Sequence, residues 1–154
     1  MRIDFERSAR EVSREEFCEH LKGLLASQFP DETVESAPIS ADLEHSLYGN
    51  YVRGSSKRGS RYQAFLAVPD DESQDTVNNS LTFALLWFDR IRKSNHRGTV
   101  EGVRLILPKD SSSVVAHRFA ALAPQVAIEL YERDPAHESL ERIDPRRAGM
   151  CGRG

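Results

Sequence analysis

The residues best suited to chemistry in this 154-residue chain are carboxylates and arginines placed between its apolar segments. Asp42 and Glu44 lie beside His45, and Asp70, Asp71 and Glu72 form an acidic run. Carboxylates that converge can hold Mg²⁺ or Mn²⁺, which makes Asp42, Glu44 and Asp70 the candidate catalytic residues of a metal-dependent phosphodiesterase. Mg²⁺ is the cofactor of that reading alone. Loop carboxylates are most often simply solvated, so no metal site and no cofactor are otherwise expected.

A second group is basic. Arg53, Lys57, Arg58 and Arg61 are interleaved with Tyr48, Tyr51 and Tyr62. Cations neutralise backbone phosphates, and aromatic rings stack on unstacked bases. The plainer alternative is a solvated turn whose tyrosines pack on a sheet. A third group is the segment from Pro108 to Ser113. It follows an apolar run and opens a helical one, so free N–H groups at the helix start, with Lys109 and Ser111, suit an anion. A cap formed by Asp110 or Ser111 accounts for the same residues, and the glycines of a P-loop are missing. The histidines His20, His96, His117 and His137 show no ligand spacing. Cys18 and Cys151 form no C-x-x-C pair, and no G-x-S-x-G occurs.

These residues must be positioned by elements that the hydropathy pattern makes readable. Ser13 and Glu16 form a capping box, with Val12 and Phe17 as its hydrophobic staple. Phe17, Leu21, Leu24 and Leu25 then recur at helical spacing as far as about Ser27. Thr33–Ile39 is a short strand limited by Pro38. Leu47–Arg53 and Arg61–Val68 read as strands flanking a basic loop over residues 54–60. With Asp75 as N-cap, the next helix carries Leu81, Phe83, Leu85, Leu86, Trp87, Phe88 and Ile91 and is expected to be buried on most faces. Val103–Leu107 is a nearly continuous apolar strand, suited to the centre of a partly parallel sheet. Val115, Phe119 and Leu122 mark a helix, and Val126–Tyr131 is a further strand. Strand, helix and strand in that order imply a parallel crossover. The fold class is α/β: one domain over residues 1–144, with a central mixed sheet, about three flanking helices and a C-terminal β-α-β crossover. Residues 145–154 read as a flexible tail.

Composition bounds the function. The formal net charge is −3, so the molecule as a whole does not attract nucleic acid, although a local patch can. Hydrophobic residues make up 39% and charged residues 29%, a globular balance. The 17 Arg against 4 Lys reflect genome base composition. The opening MRIDFERSAR has no apolar core, so no secretory signal is expected. Leu81–Phe88 is too short to span a bilayer, so no membrane association is expected and a reducing cytoplasm is the default.

The order of elements resembles the restriction-endonuclease-like, or PD-(D/E)xK, fold. The residues that carry the resemblance are the opening helix, strands ending in Arg61–Val68, the helix Leu81–Ile91, GVRLILP (Gly102–Pro108), the helix Val114–Leu122 and VAIELY (Val126–Tyr131). The GVRLILP…VAIELYERDP block also looks like an uncharacterised bacterial family. The resemblance implies a metal-dependent nuclease site, with an acidic residue and then (E/D/Q)-x-K on the next strand. Here that strand reads YQAFLAVP, and no E-x-K, D-x-K or Q-x-K occurs. Pro69-Asp70 supplies only the PD dipeptide. The expected function is a non-catalytic nuclease-like domain binding nucleic acid or a protein partner. The alternatives are a nuclease or phosphodiesterase with a rearranged carboxylate site, and a homodimeric interaction module.

Overall fold

The computed structural model describes residues 16–35, 51–93, 99–122 and 127–144. A helix over residues 16–28, α1, carries Leu21, Leu24 and Leu25 on its buried side. The strands are β1 (Thr33–Glu35), β2 (Val52–Arg58), β3 (Arg61–Ala67), β4 (Thr99–Leu107), β5 (Ile128–Asp134) and β6 (Ser139–Ile143). The helix α2 (Gln74–Lys93) joins β3 to β4, and α3 (Ser113–Ala120) joins β4 to β5. The six strands form one sheet in sequential order, β1-β2-β3-β4-β5-β6. β3, β4 and β5 are mutually parallel, and β1, β2 and β6 add antiparallel pairs at the flanks. The α/β architecture with its mixed sheet, three helices and β4-α3-β5 crossover is therefore present among the described residues.

Two cores lie on opposite faces of this sheet. Leu21, Leu24 and Leu25 of α1 pack with Phe65, Ala67, Ile106, Tyr131 and Leu140. On the other face, Trp87, Ala84, Leu81 and Ile91 of α2 and Val115 and Ala116 of α3 pack with Ala64, Leu66, Val103, Leu105 and Leu130. A strand between two helical layers must be apolar on both sides. This is why Ala64, Phe65, Leu66, Ala67 and Val68 are consecutive buried residues.

Three expectations need correction, and one strand is additional. The basic stretch Gly54–Arg58 is strand, not loop: it is the body of β2, and the turn is only Gly59-Ser60. Gly59 has φ +62°, the positive φ that a two-residue hairpin of this kind demands of its first residue. The helix α2 is buried along one face rather than most. Val77, Leu81, Ala84, Trp87 and Ile91 are inside, whereas Leu86 is 55% exposed. Its N-terminal cap is Ser73, whose Oγ accepts the Thr76 N–H at 3.2 Å, with Asp75 in the first turn. The polar segment after Asp134 returns as β6, which only pairing with β5 makes a strand.

Gly102 shows how tightly β4 and β5 meet. A Cβ there would stand 2.5 Å from the Ala127 carbonyl oxygen, which accepts the Val103 N–H. Backbone cannot move aside as a side chain can, so Gly102→Ala is expected to lower stability by about 2 kcal/mol. A fall in the urea midpoint with an unchanged slope would show it.

Candidate functional site

The alternation of side chains along β2 and β3 divides the basic group between the two faces of the sheet. Arg58 and Arg61 are direct partners across the hairpin, on the α1 face with Ser56, Gln63 and Phe65. Lys57 lies opposite Tyr62 on the α2 face. Arg53 is on that same face at the far end of β2, opposite Leu66, and is buried. The tyrosines divide as well. Tyr51 is buried, packs on Phe83 at 5.2 Å and donates its hydroxyl to the Thr76 carbonyl. Burial pushes its phenol up to about 12. Tyr48 lies outside the described residues.

Arg58 and Arg61 stand on the rim of an open groove of about 540 Å³ at the amino ends of β3 and β4. Its other lining residues are Glu32, Ser56, Gly59, Ser60, Gln63, Glu101 and Arg104, and none is aromatic. Glu101 reaches the groove through an irregularity: Tyr62 pairs with Val100 and Gln63 with Gly102, so Glu101 is the extra residue of a bulge. Bulges re-aim side chains in this way. Arg104 forms the floor. It donates to both oxygens of Glu32, at 2.7 and 2.9 Å, and its Nε lies 3.6 Å from Glu129. Its guanidinium also covers the Phe29 ring at 3.5 Å. The Arg104 hydrogen bonds hold the Glu32 carboxyl below the usual carboxylate range, and burial opposes them. Sequence reasoning passed over Arg104, Glu32 and Glu101. A lone arginine within the apolar run VRLIL was the available signal, since a charge there must be paired.

The βα loop lies at the other end of the sheet, a strand length away, roughly 20 Å. Its helix N-terminus already holds an anion from within the chain. Glu132 of β5 accepts the N–H groups of Asp110 and Ser112, each at 3.1 Å, together with the Ser112 hydroxyl. Ser112, rather than Asp110 or Ser111, is the N-cap. The Ser111 hydroxyl donates to the Pro108 carbonyl. Lys109 lies 3.6 Å from Asp134, which also receives His137 Nδ1 at 2.6 Å. That His137 bond holds the Asp134 carboxyl below its ordinary value. The loop's donors are thus given to Glu132.

Of the candidate catalytic carboxylates, Asp42 and Glu44 lie outside the described residues. Asp70 forms an ion pair with Arg133, Oδ2 to Nη1 at 2.9 Å, and Arg133 in turn covers the Phe17 ring. Among the described residues no group of three or more His, Cys, Asp or Glu side chains could hold a metal ion. No helix of the described residues is long and apolar enough to cross a membrane. Cys18 is half-buried and forms no disulfide among the described residues. No protein-family model matches the sequence, and no curated protein matches it.

Proposed function

We propose that this domain is a nucleic-acid-binding module of restriction-endonuclease-like architecture that engages the phosphate backbone through the groove beside Arg58 and Arg61. One observation carries the reading. Arg58 and Arg61 are cross-strand partners at the end of the hairpin, both line the groove, and neither lies within ion-pair distance of a carboxylate among the described residues, Arg58 acting on Glu32 only through space. Like charges placed opposite one another destabilise a hairpin. A polyanion lying across the groove would remove that repulsion and release counterions. The buried β3 supports a binding role over a catalytic one, because Ala64, Phe65 and Leu66 fill positions where the enzymes of that fold carry charge.

The test is a salt series on a nucleic acid of fixed length. Two phosphate contacts should contribute about 1.5 to the slope of log affinity against log salt. In the Arg58→Ala/Arg61→Ala variant the slope should fall by about that amount, with binding weakened about tenfold at low salt. Both side chains are exposed, so the variant keeps its fold. Wild-type protein that binds neither DNA nor RNA at low salt would overturn the proposal.

A further inference from the structure

We infer that the groove takes the ribose–phosphate backbone of RNA in preference to DNA; the inference rests on the nucleic-acid reading above and specifies its ligand. A groove built only for phosphate would exclude carboxylates. This one has Glu101 brought into it by the β3–β4 bulge, close in sequence to the buried Arg104. Glu101 forms no ion pair among the described residues, so it is not spent on neutralising a neighbouring arginine. Glu32, by contrast, gives both oxygens to Arg104. A carboxylate in the same groove as these guanidiniums repels a bare phosphodiester, yet it is a strong acceptor for a hydroxyl. RNA presents both chemistries on every nucleotide: a phosphate for Arg58 and Arg61, and a 2′-hydroxyl donor for Glu101. DNA offers the phosphate alone. The amide of Gln63 adds a donor and an acceptor on the same face.

The lining also says what the groove does not read. Among the described residues no aromatic side chain lines it, and the Phe29 ring nearby is covered by Arg104. Recognition by base stacking needs an exposed ring, whereas the described lining offers groups for the sugar–phosphate backbone.

The experiment measures binding of the full chain to RNA and DNA of identical sequence and length at low salt, as duplexes and as single strands. A hydrogen bond to an ionised acceptor predicts about a tenfold preference for RNA. Glu101→Ala should abolish the preference by weakening RNA binding, while DNA binding is unchanged or slightly tighter because a negative charge has gone. RNA in which the 2′-hydroxyls are methylated should behave as DNA does. Equal binding of RNA and DNA by the wild type, or a preference that survives in Glu101→Ala, would overturn this inference and leave nucleic-acid binding standing. Loss of all binding in the wild type would overturn both.

Discussion

Replacing Trp87 by alanine is expected to lower folding stability by about 4 kcal/mol, the largest loss of any single change considered for this chain. Trp87 is fully buried, in the middle of the α2 face that covers β3 and β4. Val77, Leu81, Ala84 and Ile91 surround its helical position, and Leu66 and Leu105 are buried in the same cluster. Truncation removes the transfer free energy of a large ring and leaves a cavity between a helix and a sheet, neither of which can collapse freely. For a domain of this size the loss corresponds to about 10 °C in the melting temperature. Leu86, one position earlier on the same helix, faces outward, and Leu86→Ala should stay within about 0.5 kcal/mol. Calorimetry on the two variants checks the prediction, and equal losses would show that α2 is not seated along the Trp87 face.

Glu32→Ala should cost about 3 kcal/mol, for a different reason. The Glu32 and Arg104 side chains are only 15% and 6% exposed, and they form a two-point pair. Removing the carboxylate leaves a buried guanidinium with Glu129 at 3.6 Å as its remaining partner. An uncompensated buried charge costs more than the pair itself contributes. Replacing both partners, as in Glu32→Leu/Arg104→Met, should therefore be milder than Glu32→Ala alone. The pair also fixes a pH dependence. The Glu32 carboxyl is lowered in the folded state, chiefly by the hydrogen bonds from Arg104. Its contribution is thus fully present above the unfolded carboxyl's ordinary value near 4.5 and is lost as pH falls through the folded one. The stability gap between wild type and Glu32→Gln should be flat from about pH 6 upward and close below about pH 4.5. A gap constant to low pH would mean that Glu32 acts by shape rather than by charge.

These two predictions concern residues of very different legibility. Trp87 lies in an apolar run, and its burial is foreseeable from that run. Which of Leu86 and Trp87 points inward is less so, because the run has apolar residues on nearly every side and only the neighbouring sheet selects a face. Glu32 looked like an ordinary polar residue after a helix. Its role depends on Arg104, 72 positions later, and no local pattern encodes so distant a partner. The same holds for Glu132, which caps the α3 N-terminus from the adjacent strand and uses the donors that made the βα loop resemble an anion site.

What the sequence determined by itself follows from local physics. Periodicity places the helices, continuous apolar runs place the central strands, and the order strand, helix, strand requires the parallel crossover. What tertiary structure decided is the site. Strand alternation sends Arg58 and Arg61 to one face and Lys57 and Arg53 to the other, splitting a basic group that is continuous in sequence. A one-residue bulge delivers Glu101 to the groove, and pairing between distant segments neutralises Arg104. Charges act through space over a few ångströms, and only the folded sheet sets which of them are that close.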